Sequence, residues 1–439
     1  MHYTIREYGH VAASGDARGT DFVPVGRVAF ERLKALAVKT ADNEKPLLRF
    51  ASSQGQETLQ VLNYVGVLGI DQSTQLEILP KTSTDPALAS DSRALLWQML
   101  NVVTNVAAQE NNESTLSTLP NSWLESLTTL VLRKVSLLIR RGIKRDYVRR
   151  EEHSAFLKGQ LQVAKQMRAR PGTEHRFHIS YDQYLPDRAE NRLLKSTLIR
   201  LNKWASALDN KRLCREFLFA LDEIPESRDI EGDLRDWRND RGMAHYQPLL
   251  PWVRLILSHQ SPVFSSGAFQ GISLLFPMEK LFEDYVFKLL STTLSQGYRL
   301  HTQAASQHLL THKGAGLFKL KPDGLVSKNG RHHAVLDTKW KLLDERLGGA
   351  RDKYQLSQTD FYQMFAYGRK YLDGDGELFL IYPGHPHFTR TLDCFQFDKT
   401  LRLWVVPFDM KTGQLLFMPA SPIPDWLSTK HAMTGRHSP

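Results

Sequence analysis

The chain has 439 residues, of which 41% are hydrophobic and 24% charged, and its formal net charge is +10. This length is enough for two or three domains with cores of their own, and the composition excludes collagen-like and disordered classes. No apolar run approaches the roughly 20 residues of a membrane helix, and the start MHYTIREYGH is polar, so a cytoplasmic protein that contacts no membrane is expected.

The first predicted region is a small β-rich module over residues 1–86. Residues 46–82 alternate between apolar and polar side chains and are interrupted by glycine and by Asp-Gln-Ser, which is typical of short strands joined by turns. The polar stretch STDPALASDSR contains a proline and predicts a boundary near residue 86.

The second predicted region, residues 87–270, is mainly helical. Apolar residues recur at spacings of three and four around 95–103 and 124–138, and again over 190–208, 212–221 and 247–258. The two cysteines, Cys214 and Cys394, lie far apart without a metal-binding spacing, so neither a disulfide framework nor a structural zinc site is expected.

A basic segment interrupts this helical region. Residues 133–176 contain 13 Lys and Arg against four Asp and Glu, so most of the net charge lies in one tenth of the chain. The helical period breaks there, and FLKGQLQVAK (156–165) alternates like a strand pair. Such a segment is either a solvated face or a surface for nucleic acid or an acidic partner.

The third predicted region, residues 271–439, is an α/β domain that follows a Ser/Gly-rich connector at 261–271. Pro277 suits the first turn of a helix, after which an apolar stripe runs from 281 to 290. Strands are expected at 317–320, 323–327, 333–339 and 377–382 and a helix at 356–371, with a hairpin turn at 328–330. The fold class is therefore a multi-domain α+β protein.

Two carboxylates and an amine are expected to converge at this hairpin. Asp337 and Lys339 are two residues apart on a strand and share a face, and hairpin pairing brings Asp323 alongside them. Carboxylates are the ligands that Mg²⁺ prefers. Lys339 can then orient or deprotonate an attacking water, so the pattern predicts a phosphodiester hydrolase, although the same residue types are common in solvated turns.

Three neighbouring residues are candidates for the same site. Glu283 lies on the polar side of the preceding helix, either as an additional metal-ligating carboxylate or as an ordinary surface residue. Gln363 and Tyr367 are four apart on the next helix, where they either contact DNA phosphate, support Lys339 or pack on the helix face.

These residues carry a family resemblance. Asp323, the triplet Asp337-Thr338-Lys339 and SQTDFYQMFAY (357–367) resemble the PD-(D/E)xK nuclease core of the McrC family, the cleavage subunits of McrBC restriction systems. Similar stretches upstream are IRRGIKRDY (139–147), FLKGQLQVAK (156–165) and PDRAENRLLKSTL (186–198). The resemblance covers roughly residues 95–425, and residues 63–81 resemble the β-rich start of longer McrC-like proteins.

The resemblance implies a Mg²⁺-dependent DNA endonuclease with Asp323 and Asp337 as metal ligands and Lys339 as the catalytic lysine. It also implies a partner, an McrB-like AAA+ GTPase assembled as hexameric rings, whose channel receives the amino-terminal part of McrC. The chain contains no GxxxxGK[ST] motif, so no nucleotide is expected to bind to it directly. The basic segment either lines that channel or binds double-stranded DNA.

Two rival functions remain open at this point. One is a non-catalytic subunit that assembles with and activates an AAA+ ring. The other is a stand-alone repair nuclease of the same fold, which would cut DNA without a partner or nucleotide.

Overall fold

The computed structural model describes residues 1–16, 19–42, 45–53, 55–71, 74–81, 89–104, 123–168, 172, 175–258, 273–349, 351–418, 423–428 and 432–434. The strands are β1 (His2–Arg6), β2 (His10–Ala12), β3 (Phe22–Pro24), β4 (Leu48–Ser53), β5 (Gln56–Val61), β6 (Tyr64–Gly69), β7 (Gln75–Leu79), β8 (Asp146–Ser154), β9 (Gln160–Leu161), β10 (Phe177–Leu185), β11 (Leu274–Pro277), β12 (Tyr298–Thr302), β13 (Gln307–His312), β14 (Ala315–Leu320), β15 (Gly324–Lys328), β16 (Arg331–Thr338), β17 (Gly376–Pro383), β18 (Phe395–Gln396), β19 (Leu401–Asp409), β20 (Gln414–Phe417) and β21 (Ala432–Thr434). The helices are α1 (Arg27–Thr40), α2 (Ala89–Val103), α3 (Trp123–Arg141), α4 (Val163–Gln166), α5 (Ala189–Trp204), α6 (Leu208–Ala220), α7 (Ile230–Arg235), α8 (Leu250–Ser258), α9 (Met278–Leu290) and α10 (Gln358–Tyr371).

The chain divides into two compact units, one formed by residues 1–118 and 268–439 and the other by residues 119–267. This grouping differs from the predicted division into 1–86, 87–270 and 271–439, because the first and last of those segments share one unit. The predicted connector at 261–271 lies outside the described residues. No helix of the described residues combines the length and apolar character needed to cross a bilayer.

The amino-terminal strands form two sheets, with orders β3-β2-β5-β4 and β1-β7-β6-β11. The strands predicted between residues 46 and 82 are confirmed as β4 to β7, whereas α1 was not predicted. β11 comes some 200 residues after β6 and pairs antiparallel with it, which explains why the first and last segments share a unit. Gly66 has φ +123°, and a Cβ there would lie 2.1 Å from the Leu274 carbonyl oxygen, so only glycine permits this approach.

The helix α2 also belongs to the first unit. It packs against α9, and the Gln98 side chain donates a hydrogen bond of 2.7 Å to the Tyr285 hydroxyl. The apolar stripe predicted after Pro277 is confirmed, because α9 buries Leu281, Phe282 and Tyr285 along one face.

An eight-stranded mixed sheet occupies the carboxy-terminal part of this unit. Its order is β12-β15-β16-β17-β19-β20-β21, and β18 pairs with β19. The central pairs β16/β17 and β17/β19 are parallel, and both α9 and α10 contact β16. Residues 334–338 of β16 are all buried, as expected for a central strand covered on both faces. This burial places Asp337 inside the protein.

The second unit contains α3 to α8 and a three-stranded sheet of order β8-β10-β9. The predicted β insertion is confirmed, but the interpretation of FLKGQLQVAK as a strand pair is wrong. Only Gln160–Leu161 of that stretch is a strand, Val163–Gln166 forms one helical turn, and the long antiparallel pair is β8 with β10. Gly159, with φ +69°, ends the extended run because it turns the backbone.

Candidate active site

The hairpin β15/β16 positions the two predicted acidic residues. Its turn consists of Asn329 and Gly330 with φ of 53° and 79°, the two positive values that a two-residue hairpin turn of type I′ requires. Gly324 pairs with Leu336, so Asp323 and Asp337, the neighbours of this pair, lie at the same end of the hairpin. The predicted hairpin is therefore present in the sheet.

Asp337 is almost fully buried, with 2% of its surface exposed. Its Oδ2 lies 2.7 Å from Lys339 Nζ, but no donor meets this oxygen with hydrogen-bond geometry. Burial, followed by the charge of Asp323, holds the pKa of the Asp337 carboxyl well above its usual range, against the opposing effect of Lys339. Asp337 is thus a buried carboxylate with an oxygen available to a further ligand.

Lys339 lies at the centre of the contacts. Although burial lowers the pKa of its amine, the nearby carboxylates, first among them Asp337, raise it above its usual value. The ammonium therefore stays charged at neutral pH. Nζ also donates a hydrogen bond of 3.2 Å to Gln363 Oε1.

Asp323 is fixed by the end of the neighbouring strand. Its Oδ2 accepts hydrogen bonds from the Thr338 backbone N–H (2.8 Å) and from the Thr338 hydroxyl (2.9 Å). Since Thr338 stands between Asp337 and Lys339, these bonds lock Asp323 to the other two predicted residues.

Glu283 projects from α9 beside this group. Its side chain is 14% exposed, and its Oε1 is 2.7 Å from Lys280 Nζ. Burial raises the pKa of the Glu283 carboxyl; Lys280 opposes this shift and the charge of Asp323 adds to it, so the two carboxylates interact. A cleft of about 540 Å³ opens beside Glu283 and is lined also by Lys280, Lys288 and Gln303.

Gln363 and Tyr367 lie on one face of α10, as predicted from their spacing. Gln363 Nε2 donates 2.7 Å to the Tyr367 hydroxyl, which in turn donates 3.0 Å to the Lys321 backbone oxygen. Because Gln363 also accepts from Lys339, this chain of bonds links the lysine to the backbone just before Asp323. Of the interpretations made from the sequence, the contacts match support of Lys339.

Among the described residues, no three His, Cys, Asp or Glu side chains are grouped closely enough to hold a metal ion. Asp323, Asp337 and Glu283 therefore do not form a ready three-ligand cluster. The donor set nevertheless fits Mg²⁺, which usually takes one or two carboxylates and completes its shell with water and phosphate. The buried Asp337 oxygen that lacks a hydrogen-bond donor is the observation that favours this fit.

A family model described as "McrBC 5-methylcytosine restriction system component" matches residues 59–383, which is most of the chain. The chain belongs to this McrBC family. The predicted resemblance is thereby confirmed at the level of the family.

The fold is also similar to solved structures from Thermococcus gammatolerans. A chain in the refined half-complex of McrB AAA+ hexamers with bound McrC is 17% identical, with a TM-score of 0.63, over 93% of this chain and 95% of that chain. A chain in the cryo-EM structure of the McrBC complex is 18% identical, with a TM-score of 0.47, over 66% of this chain and 87% of that chain. The comparison with curated proteins finds no match.

One acidic residue of this McrBC family member was not predicted as part of the site. Asp360 Oδ1 lies 3.9 Å from Lys339 Nζ, and its Oδ2 accepts a hydrogen bond of 3.3 Å from the buried Tyr382 hydroxyl. Burial and then the charge of Asp360 raise the pKa of Tyr382 far above its usual value. The sequence contained a signal, because Asp360 precedes Gln363 by three residues and so lies on the same helix face.

Proposed function

We propose that this chain is a Mg²⁺-dependent DNA endonuclease of the PD-(D/E)xK type and the cleavage subunit of an McrBC-type restriction system. The observation that carries the proposal is the meeting of Asp323, Asp337 and Lys339 at one end of the β15/β16 hairpin, with an ion pair of 2.7 Å between the last two. Membership of the McrBC family supports it.

Asp323 and Asp337 are the residues that would hold the metal, with Glu283 as an additional acidic group near them. When bound, the divalent ion would supply Lewis-acid charge to phosphodiester hydrolysis. Asp337 contributes a buried oxygen without a hydrogen-bond donor, and Thr338 keeps Asp323 oriented towards the same end of the hairpin. The charge that the two carboxylates share favours a cation over a second proton.

Lys339 acts in this proposal as a fixed positive charge. Its raised pKa favours orienting the attacking water and stabilising the developing negative charge of the phosphate over proton abstraction. Gln363 holds the ammonium directly, and Tyr367 holds Gln363. These two residues are positioning residues, because their contacts run through Lys339.

The proposed partner is an McrB-like AAA+ GTPase, assembled as a hexamer, and the proposed substrate is double-stranded DNA. The support is the family match together with a fold similar to that of a chain in the assembly of McrB hexamers with bound McrC. Nucleotide binding is assigned to the partner, because the sequence contains no phosphate-binding GxxxxGK[ST] loop.

The test compares Asp337→Asn with the wild-type chain, each mixed with its AAA+ partner, GTP or ATP, Mg²⁺ and methylated or unmethylated plasmid. We expect cleavage of plasmid to fall by a factor of about 10³ or more, because the carboxylate charge at the site is lost. Stimulation of nucleotide hydrolysis by the partner should stay unchanged. Asp393→Asn changes an exposed carboxylate in the same way and should retain both activities.

Each rival function gives a different result in this experiment. A non-catalytic activator would stimulate nucleotide hydrolysis without any cleavage by the wild-type complex. A stand-alone nuclease would cleave DNA without partner or nucleotide. Cleavage by Asp337→Asn at the wild-type rate would contradict the assignment of the site.

A further inference from the structure

We propose that the hairpin β13/β14 is an arm that grips duplex DNA beside the candidate active site. This inference rests on the proposed nuclease function and adds to it the element that holds the substrate. Five observations carry it: the shape of the hairpin, its exposed apolar side chains, its charge, its attachment and its distance along the chain from Asp323.

The hairpin is a separate two-stranded ribbon. β13 and β14 pair with each other and form no ladder with the other described strands. Lys313 and Gly314 form the tip, with φ of 48° and 78°. Six residues per strand correspond to a length of about 20 Å. Every residue from 309 to 319 is exposed.

Large apolar side chains are exposed along this ribbon. Phe318 is 68% exposed, and Leu309, Leu310 and Leu317 are 43%, 41% and 40% exposed. Apolar side chains clustered on an exposed surface indicate a binding surface, because water penalises them until they are covered. Two-stranded ribbons of this size fit a DNA groove, where phenylalanine and leucine can pack against or between bases.

The charge of the region selects a polyanion as the occupant. Residues 285–322 contain no Asp or Glu and five basic residues, namely Lys288, Arg299, Lys313, Lys319 and Lys321. Lys313 is at the tip and Lys319 on β14, so cations flank the exposed apolar residues. A second copy of this hairpin would bring like charges together, whereas DNA phosphates neutralise them.

The base of the ribbon is fixed to the helix that supports Lys339. The Tyr371 hydroxyl donates 3.0 Å to the Leu320 oxygen at the end of β14 and accepts 3.3 Å from the Gln307 N–H at the start of β13. The Tyr367 hydroxyl donates 3.0 Å to the Lys321 oxygen. Both tyrosines belong to α10, so one helix holds both strands of the ribbon and Gln363.

The ribbon also leads directly into the candidate site. Asp323 follows Leu320 by three residues, and Gln303, which precedes β13, donates its backbone N–H to the Asp323 backbone oxygen at 2.9 Å. The two chain segments at the base of the ribbon therefore flank Asp323. DNA held along the ribbon would pass its backbone close to Asp323 and Asp337.

The test measures binding of the full-length chain to a fluorescent 30-base-pair duplex by anisotropy, without Mg²⁺ so that cleavage does not interfere. For Lys313→Ala with Lys319→Ala we expect an increase in Kd of about tenfold, because each lost phosphate contact lowers the salt slope of log Kd by about 0.9. The matched control is Lys399→Ala with Lys411→Ala, which removes two exposed charges elsewhere and should change Kd less than about twofold.

A second variant tests the apolar contact. Phe318→Ala should raise Kd about fivefold while leaving the salt slope unchanged, since no ionic contact is removed. Equal effects of the hairpin and control lysine pairs, or wild-type Kd in both hairpin variants, would overturn the proposal. Wild-type DNA binding combined with lost co-purification of the AAA+ partner would overturn it too and identify the ribbon as a protein docking site.

These outcomes are separable from the nuclease assignment. Normal cleavage by Asp337→Asn with weakened binding by the hairpin variants would refute the site while supporting the arm. Loss of cleavage in Asp337→Asn with unchanged binding in the hairpin variants would do the reverse.

Discussion

Two consecutive hairpins of the same unit have similar turns and opposite environments. β13/β14 turns through Lys313-Gly314 and β15/β16 through Asn329-Gly330, and all four residues have positive φ. The first ribbon is exposed along its length, whereas β16 lies between β15 and β17 and is buried over 334–338. Turn chemistry therefore does not decide the environment; the presence of a neighbouring strand does.

The difference has a consequence for chemistry. Burial changes the proton affinity of a carboxylate and strengthens its interaction with a nearby ammonium, as at Asp337 and Lys339. An exposed ribbon leaves its charges screened by solvent but free to meet a large ligand. One hairpin is suited to a reaction and the other to recognition.

The largest expected effect separates the lysines of the two hairpins. Lys339→Ala should reduce the rate of DNA cleavage by about 10²–10³-fold, because a buried, fixed charge is lost and Asp337 loses its ion-pair partner. Lys319→Ala should reduce the rate less than about tenfold at saturating DNA, because its charge acts on binding. Rates measured on the same plasmid in the presence of the partner and nucleotide provide the comparison, and equal losses would contradict it.

The sequence predicted the buried hairpin better than the exposed one. The run His333–Lys339 and the Asn-Gly turn identified β15/β16 and the residues Asp323, Asp337 and Lys339 that meet there. β14 was predicted as a strand from 317 to 320, but its partner β13 was not, because a sequence pattern records burial and β13 has almost none.

Long-range pairing limited the prediction in the same way. Nothing in the local sequence of Leu274–Pro277 indicates that β11 completes a sheet with β6. Asp360 escaped notice because a single carboxylate in the first turn of a helix is common, and only the fold brings it near Lys339.

The buried hairpin is also fastened to the amino-terminal sheet, and this contact responds to pH. Trp340 Nε1 donates 2.7 Å to Glu7 Oε1, the Trp340 ring packs on Phe282 with centroids 5.2 Å apart, and Glu7 is fully buried. Burial raises the pKa of the Glu7 carboxyl to about 8, against opposing hydrogen bonds from Lys81 and Trp340. The folded protein therefore holds this proton more tightly than the unfolded chain.

The sign of the pH effect follows from this shift. Stability from the protonated Glu7 is fully present below the ordinary glutamate pKa of about 4.3 and is lost as pH rises to about 8. Wild type should lose a few kcal/mol more than Glu7→Gln between pH 5 and pH 9, on the order of 1.4 kcal/mol per pKa unit. Denaturant unfolding at both pH values measures this, and the exposed Glu57→Gln serves as control. Parallel pH profiles for wild type and Glu7→Gln would refute the buried protonated state.

The smallest effect tests the hairpins through their turns. Gly314 and Gly330 have φ of +78° and +79°, and a Cβ at either would meet no atom within 4 Å, so alanine adds only backbone strain. Gly330→Ala should lower the free energy of global unfolding by about 1 kcal/mol, because β15/β16 unfolds with the whole sheet. Gly314→Ala should lower it less, since a ribbon without other strand partners opens locally before the rest and its strain is then relieved. Amide exchange over residues 309–319 should accelerate in Gly314→Ala and not in Gly330→Ala. Equal global losses would mean that the exposed ribbon is as strongly coupled to the core as the buried hairpin, which its exposure argues against.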